Sequence, residues 1–139
     1  MYRNVIPNFF YWAMSGQALP ITGDGTETRD WTYVDDIVDG LLAMGIREEA
    51  IGEAINLGSG ADHRVVDMAG IVNELAGNEA GVVYIERRDW DVKTCLLSSI
   101  GKAKRLLGYE PQMVFEDGLR EVHGWFAENW DDMRGSGEF

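Results

Sequence analysis

The sequence is poor in cysteine, histidine and proline, and this scarcity excludes several kinds of site. Its 139 residues contain one cysteine, two histidines and three prolines. A single thiol, Cys95, cannot form a disulfide within one chain, which favours a reducing compartment and a cytoplasmic location. The histidines, His63 and His123, lie far apart, and neither a C-x-x-C nor an H-E-x-x-H pattern is present. We therefore predict no metal site.

Positive charge is also scarce. Lys and Arg together number 12 against 24 for Asp and Glu, which gives a formal net charge of −12. Such a surface repels the phosphates of nucleic acids and of anionic membranes, so we expect neither as a partner. No apolar run approaches the roughly 20 residues that cross a bilayer, and the first residues do not form a signal-peptide pattern. A small phosphorylated ligand remains compatible, because an arginine at contact distance outweighs remote, screened charges.

Apolar spacing and turn residues predict about five helices and three or four short strands in alternation, which indicates an α/β fold with a small sheet. The predicted helices are Tyr2–Met14, one capped by Asp35 or Asp36, one through Met68, Ile71, Val72 and Leu75 that ends at Gly77, one opened by Ser98 or Ser99 that ends at Gly108, and one that carries Phe115, Leu119, Val122 and Phe126. The predicted strands are Leu19–Thr22, Ala54–Leu57 and Val82–Ile85, with Trp31–Val34 as a strand or an extended segment. We interpret residues 1–133 as one domain and residues 134–139 as a vector-derived tail.

Few residues suggest catalysis. The segment Gly58-Ser59-Gly60 resembles the start of a dinucleotide fingerprint, but His63 occupies the position of the third glycine. We therefore interpret this segment as a turn between a strand and a helix. His123 lies near the apolar face of the last helix and is predicted to be structural, and Cys95 is predicted to be a core or boundary thiol.

Four cations lie just beyond predicted strands or turns, where α/β proteins commonly bind ligands. They are Arg29, Arg87, Arg88 and Lys93. Guanidinium groups at such positions can bind a diphosphate with paired hydrogen bonds. The spacing favours a second interpretation more strongly, namely surface salt bridges from Arg29 to Asp30 or Asp36 and from Arg88 to Asp89.

Four segments together resemble a known family. They are "NVIPNF", "GDGTETRDWTYVDDIVDG", "INLGSG" and "KAKRLLGYEP", in this order. Over about residues 2 to 130 the sequence resembles the C-terminal, substrate-binding part of the NAD-dependent epimerase/dehydratases. These are extended short-chain dehydrogenase/reductases, and they include UDP-glucose 4-epimerase, UDP-glucuronate decarboxylase and dTDP-glucose 4,6-dehydratase. The resemblance implies an incomplete piece of that fold, without its Rossmann half.

The resemblance also implies roles for individual residues. Asn4 matches the asparagine that contacts the diphosphate of a nucleotide-sugar, and Val5 follows it at the nucleotide. Arg29 matches the arginine that binds the diphosphate. The strand that lies along a uracil or thymine base corresponds to Leu19, Pro20, Ile21 and Thr22, and a second phosphate-binding arginine corresponds to Arg87 or Arg88. Related sequences often have that arginine at about the position of Cys95, and Asn56 matches a strand that adds to the Rossmann sheet.

The family's catalytic parts are absent from these 139 residues. The sequence contains no G-x-x-G-x-x-G loop, and none of the five tyrosines is followed four positions later by lysine. The resemblance thus implies NAD for the complete family, but no cofactor and no catalytic residue for this chain. We expect an inactive fragment with weak affinity for UDP- or dTDP-sugars. The alternatives are a self-associating or partner-binding module with an idle ligand site, and one half of a split epimerase.

We also expect a homo-oligomer. Without a Rossmann half, the apolar face of the first helix and the edges of the Ala54–Leu57 strand would be exposed, and such surfaces favour association. The face in question comprises Ile6, Phe9, Phe10 and Ala13.

Overall fold

The structure is a computed structural model that describes residues 4–87 and 93–135. Its helices are α1 (Val5–Met14), α2 (Val34–Ile46), α3 (Val65–Ala76), α4 (Gly101–Leu107), α5 (Phe115–Glu128) and α6 (Trp130–Gly135), with one 3-10 turn at Glu48–Ala50. Its strands are β1 (Leu19–Thr22), β2 (Thr28–Arg29), β3 (His63–Arg64), β4 (Val82–Ile85) and β5 (Cys95–Leu96). This combination of helices and short strands confirms the predicted α/β class.

The described chain forms two compact units, each assembled from separate segments. The first unit contains residues 4–26, 64–87 and 116–135, and the second contains residues 27–63 and 93–115. The single domain predicted over residues 1–133 stays a prediction, because compactness does not measure whether two units unfold together. Of the predicted tail, Arg134 and Gly135 belong to α6, and residues 136–139 lie outside the described residues.

The first unit has an apolar core around a pair of parallel strands. β1 pairs with β4, with Leu19 opposite Val82 and Thr22 opposite Ile85. α1 and α3 pack against each other and against β1. The side chains that fill this core are Phe9, Phe10, Ala13, Leu19, Ile21, Met68, Ala69, Val72, Leu119 and Phe126.

The prediction that the apolar face of the first helix is exposed is wrong. Phe9, Phe10 and Ala13 of α1 are buried within the first unit. The Phe10 ring lies 5.9 Å from the ring of His123 and 5.7 Å from that of Phe126. The face therefore forms the core of its own unit, and His123 contributes to that core as a structural residue.

The second unit has a smaller core and shorter strands. β2 pairs in parallel with β5, with Arg29 opposite Leu96, in a sheet of order β3-β2-β5. The buried apolar residues are Ala103, Leu107 and Tyr109, against which the partly buried side chains of α2 and its neighbours pack. In the same unit, the Phe115 ring stacks on the rings of His63 and Trp31, at 4.0 Å and 5.4 Å between centroids.

Elements with a local sequence signal form as predicted. The strands Leu19–Thr22 and Val82–Ile85 have the predicted bounds. α3 ends at Gly77 and α4 ends at Gly108, and both glycines take the left-handed conformation, with φ of 62° and 67°. Glycine adopts this conformation without the steric cost of a Cβ atom, which is why it ends helices.

Three predictions of helix starts and strands are wrong. α2 begins at Val34, with Tyr33 and neither Asp35 nor Asp36 at its N-cap. The Asp36 carboxylate accepts hydrogen bonds from the distant amides of Gln112 (2.7 Å) and Met113 (3.2 Å) and is buried there. Residues 31–33 are not a strand, and they form the extended segment that was the alternative.

The other two errors have similar causes. α4 begins at Gly101 and not at Ser98 or Ser99, because the amide of Ser98 donates to the Asp30 carboxylate at 3.1 Å. Ala54–Leu57 forms no strand, since none of the described residues supplies a neighbouring strand. The carbonyl of Ala54 accepts instead from the Lys102 ammonium at 3.0 Å.

Candidate functional site

The predicted ligand-binding residues fall in both units. Asn4 and Val5 lie at the start of α1 in the first unit, where Asn4 is exposed and Val5 is half-buried. The Asn4 side chain makes no capping hydrogen bond to the helix. The side-chain amide of Asn4 therefore does not cap the first turn of α1. Backbone N–H groups at such a helix start favour anions.

The strand predicted to lie along the base is β1, and only half of its side chains are accessible. Leu19 and Ile21 are fully buried in the core of the first unit, whereas Pro20 and Thr22 are half-buried. A ligand alongside β1 would therefore contact Pro20, Thr22 and the backbone. The side chains of Leu19 and Ile21 support that surface from beneath.

Arg87 lies beyond the carboxyl end of β4, beside the turn that follows β1. The parallel pairing brings both strand ends to one edge, and the Gly23 amide donates to the Ile85 carbonyl at 2.9 Å. The hydroxyl and the amide of Thr26 donate to Asp24 at 2.7 Å and 3.0 Å, and these bonds hold the pKa of Asp24 below its usual value. The charge of Arg87 shifts that pKa in the same direction. Arg88 lies outside the described residues.

Arg29 is the last residue of β2 in the second unit, and backbone carbonyls hold its guanidinium. Nη1 donates to the carbonyl of Thr28 at 2.8 Å, and Nη2 donates to the carbonyl of Lys93 at 3.2 Å. The second bond joins residues 64 positions apart in the sequence. The two bonds orient the guanidinium at the end of the strand, which is the position expected for a ligand contact in an α/β fold.

Asp30 is a residue whose role the sequence reasoning missed. Its carboxylate accepts from the hydroxyl of Ser59 (2.6 Å) and from the amides of Ser59 (2.9 Å), Ser98 (3.1 Å) and Gly60 (3.2 Å). Burial by itself would raise the pKa of Asp30, but these hydrogen bonds outweigh it and hold the pKa below the usual value. Asp30, which directly follows Arg29 in the "RDW" segment, thus links this segment to two distant parts of the chain. A short polar motif directly after a strand was the available signal.

The same contacts show whether Gly58-Ser59-Gly60 could hold a dinucleotide. Phosphates need free amide groups at such a turn, but the amides of Ser59 and Gly60 donate to the negative carboxylate of Asp30. A Cβ atom on Gly58 would lie 2.4 Å from the Ser98 Cβ, so packing alone accounts for glycine at this position. The residues do not fit a dinucleotide. The segment is a bend, but it is not the predicted turn between a strand and a helix, because Ala54–Leu57 forms no strand and β3 precedes α3.

Tyr109, which belongs to the buried core of the second unit, also contacts this glycine-rich segment. Its hydroxyl donates to the carbonyl of Gly58 at 2.9 Å, and burial, with the charge of Asp36, raises the pKa of the phenol. The hydroxyl therefore stays protonated and keeps its donor role across the physiological range.

Few features of the described residues favour a metal site or thiol chemistry. No group of three or more His, Cys, Asp or Glu side chains within 4–87 and 93–135 is arranged to hold a metal ion. Cys95 was predicted to be a core or boundary thiol, but it is exposed, with its sulfur 3.6 Å from the Asp62 carboxylate. In the same part of the chain, each helix is too short or too polar to span a bilayer.

A family model described as GDP-mannose 4,6 dehydratase matches residues 2–122. The chain belongs to the NAD-dependent epimerase/dehydratases of the extended short-chain dehydrogenase/reductase type. This confirms the resemblance found in the sequence, and it identifies the two units as part of that fold. The diphosphate-binding role of Arg29 remains a prediction from the family pattern.

Three relatives illustrate the match to this epimerase/dehydratase family. An epimerase from Methanothermobacter thermautotrophicus is 70% identical, with a TM-score of 0.97 over 100% of this chain and 41% of its own. The UDP-glucuronic acid 4-epimerase of Bacillus cereus, solved with UDP-glucuronic acid and NAD, is 27% identical, with a TM-score of 0.83 over 90% of this chain and 40% of its own. A UDP-glucuronate 4-epimerase from Thermodesulfobacterium geofontis is 37% identical over 87% of this chain and 37% of its own. The chain thus spans about two fifths of the length of these relatives.

Proposed function

We propose that this chain is the substrate-binding part of a nucleotide-sugar epimerase/dehydratase, and that by itself it binds a UDP- or dTDP-linked sugar weakly and without turnover. The observation that carries the proposal is the placement of Arg29, the arginine of the family's "RDW" segment, at the end of a strand with its guanidinium held by two carbonyls. The known relatives support the ligand class, since the Bacillus cereus enzyme was solved with a UDP-sugar.

The chemistry of the guanidinium suits a diphosphate. Its planar array of N–H donors matches two phosphate oxygens at once, with both charge and geometry. The bonds to Thr28 and Lys93 restrict its rotamers before a ligand arrives, so binding costs less side-chain entropy. We therefore assign the largest single contribution to ligand affinity to Arg29.

The residues of the first unit complete the proposal. Asn4 is assigned to the diphosphate and Val5 to the nucleotide, while Pro20, Thr22 and the backbone of Leu19–Thr22 are assigned to the base. Arg87 is assigned to a second phosphate contact because it lies at the carboxyl edge of the β1–β4 pair. Arg88 is the alternative for that contact.

The proposal of an inactive chain rests on chemistry. Abstraction of a sugar hydroxyl proton requires a positioned base, and hydride transfer requires a bound nicotinamide. These 139 residues contain no Y-x-x-x-K, and the amides of Ser59 and Gly60, in the glycine-rich segment after Leu57, donate to the Asp30 carboxylate and not to a phosphate. NAD is the cofactor of the related full-length proteins, and we propose none for this chain alone.

Isothermal titration calorimetry tests the binding proposal. We expect UDP, UDP-glucose, UDP-glucuronic acid and dTDP to bind with millimolar affinity, and Arg29→Ala to weaken binding by at least about tenfold, because hydrogen bonds to a charged group contribute roughly 1.5–3 kcal/mol. Arg120→Ala is the matched control: it removes the same charge from an exposed helix position paired with Asp117. Heat of binding that is equal in the wild type and in Arg29→Ala would contradict the proposal, as would no heat at millimolar ligand.

The second candidate function is a self-associating or partner-binding module with an idle ligand site. Exposed apolar side chains on β4, namely Val83, Tyr84 and Ile85, favour it. A homo-oligomer seen by light scattering at tens of micromolar chain, and unchanged by Arg29→Ala, would support this candidate. The third candidate, one half of a split epimerase, predicts that a separate Rossmann chain restores NAD-dependent turnover on mixing.

A further inference from the structure

The side chain of Asp30 extends the pairing of β2 with β5 beyond the ends of both strands. The amide of Thr28 donates to the Thr94 carbonyl at 2.9 Å, and the amide of Asp30 donates to the Leu96 carbonyl at 2.8 Å. The Asp30 carboxylate then accepts from the amide of Ser98 at 3.1 Å. The contacts along this segment thus recur at every second residue, as they do in a strand ladder, and the carboxylate makes the last of them.

This extension matters because the strand pair is short. β2 and β5 contain two residues each, and both side chains of β5 are exposed. So few ladder bonds, with so little apolar burial, hold a strand in place only weakly. The charge-assisted bond from Ser98 to Asp30 adds a second point of attachment. It lies in the same segment as Lys93, whose carbonyl accepts from the Arg29 guanidinium at 3.2 Å.

The Asp30 carboxylate is itself held from several sides. Oδ1 accepts from the hydroxyls of Ser59 at 2.6 Å and Thr32 at 3.1 Å, and Oδ2 accepts from the Gly60 amide at 3.2 Å. Burial by itself would raise the pKa of Asp30, but these and the other amide bonds hold the pKa below its usual value. Asp30 therefore presents a fixed and ionised acceptor to the amide of Ser98 at neutral pH.

We propose that Asp30 is a positioning residue for Arg29. By fixing the segment of β5 against β2, it holds the Lys93 carbonyl in the place where that carbonyl orients the guanidinium for a diphosphate. Asp30 is an anion whose two oxygens already accept from protein donors, so it is unsuited to contact a diphosphate directly. The inference rests on the proposed function, because it concerns the affinity of the same site.

NMR of the whole chain shows whether the guanidinium is held. The two Nη groups of Arg29, identified by their absence from spectra of Arg29→Lys, should give separate signals in the wild type, because bonds to two carbonyls slow rotation of the guanidinium. Asp30→Asn should move these signals toward one average. In calorimetry with UDP, Asp30→Asn should bind at least about threefold more weakly, as expected when one well-placed hydrogen bond is lost.

Asp36→Asn is the matched control for a general loss of stability in the second unit. It makes the same chemical change at a buried carboxylate, whose bonds run to the amides of Gln112 and Met113 and not to the segment of β5. We expect unchanged Arg29 signals and unchanged UDP affinity in the folded Asp36→Asn protein. Equal effects of the two substitutions would overturn the proposal. So would unchanged signals or unchanged affinity in Asp30→Asn, or averaged signals in the wild type.

A milder variant and the ligand-free spectra keep the possible outcomes apart. If circular dichroism shows that Asp30→Asn is unfolded, Ser59→Ala replaces it, because it deletes the hydroxyl that donates to Asp30 and keeps the charge. Its Arg29 signals should also move toward their average, and unchanged signals would overturn the proposal. A wild type that binds no UDP would contradict the proposed function. Averaged signals in Asp30→Asn would still support the positioning role in that case, and unchanged signals would overturn it.

Discussion

The two units of this chain are stabilised in different ways. In the first unit, ten apolar side chains from α1, β1, α3 and α5 are buried together. In the second, the buried apolar residues are Ala103, Leu107 and Tyr109, and the carboxylates of Asp30 and Asp36 connect its segments through backbone amides. Apolar burial tolerates changes of pH, whereas carboxylate hydrogen bonds depend on ionisation.

The helices α1 and α2 also differ, because the apolar side chains are buried on one helix and exposed on the other. Both have an apolar face with helical spacing. The face of α1 is buried, whereas the outer face of α2, formed by Val34, Val38, Leu41, Leu42 and Ile46, is exposed. Periodicity shows that a face will be covered, and it does not show whether its own unit or another protein covers it. Substitutions on the two helices therefore separate stability from association.

The largest expected effect is on the first unit. Phe10→Ala removes a fully buried ring that contacts His123 and Phe126, and we expect it to lower the free energy of unfolding by about 3–5 kcal/mol. Leu41→Ala on the exposed outer face of α2 is the control and should change that free energy by less than about 0.5 kcal/mol in the isolated chain. Urea denaturation followed by circular dichroism measures both. Similar losses from the two substitutions would show that the outer face of α2 is covered within this chain.

The contrast between α1 and α2 also explains what could be predicted from sequence. Elements defined by neighbouring residues, such as α3 with Gly77 and the strand Val82–Ile85, were predicted with correct ends. Elements whose ends depend on distant partners were not. The starts of α2 and α4 were misplaced because Asp36 binds residues 76 and 77 positions away, and Asp30 binds Ser98 at a separation of 68.

For the candidate site, too, the sequence predicts residues but not the contacts that distant segments make with them. The family pattern in "GDGTETRDWTYVDDIVDG" predicts a diphosphate contact for Arg29, whereas spacing alone favours a surface salt bridge, and the contact stays a prediction. Neither the pattern nor the spacing could reveal that Lys93, 64 positions away, supplies a carbonyl to its guanidinium. The role of Asp30 was missed for the same reason, because its partners come from two other segments.

A smaller effect is expected where the second unit is packed most closely. Gly58→Ala would place a Cβ atom 2.4 Å from the Ser98 Cβ and 2.7 Å from an Asp30 oxygen, so the turn must move. We expect a loss of about 1–3 kcal/mol in the free energy of unfolding. In Gly101→Ala, the control in the same unit, the new Cβ would meet no atom within 4 Å. If the two variants unfold at the same urea concentration, the turn is less constrained than its contacts indicate.

The smallest effect, and the one that most sharpens the contrast between the units, concerns Asp30 and pH. Asp30→Asn keeps the shape of the side chain but loses the charge-assisted hydrogen bonds from Ser59, Gly60 and Ser98. Because the carboxylate is only partly buried, we expect the free energy of unfolding to fall by about 1 kcal/mol at pH 7.

The pKa of Asp30 in the folded state lies below the unfolded value of about 4. The stabilisation is therefore complete above that pH and disappears as pH falls through the folded-state pKa. The wild type and Asp30→Asn should therefore converge in stability once the pH falls below the folded-state pKa, while Asp39→Asn, an exposed control on α2, should have little effect at neutral or acidic pH. Hydrogen exchange resolved by segment would then show acid opening the second unit before the first. A difference between wild type and Asp30→Asn that persists at low pH would mean that packing, and not the charge, gives Asp30 its role.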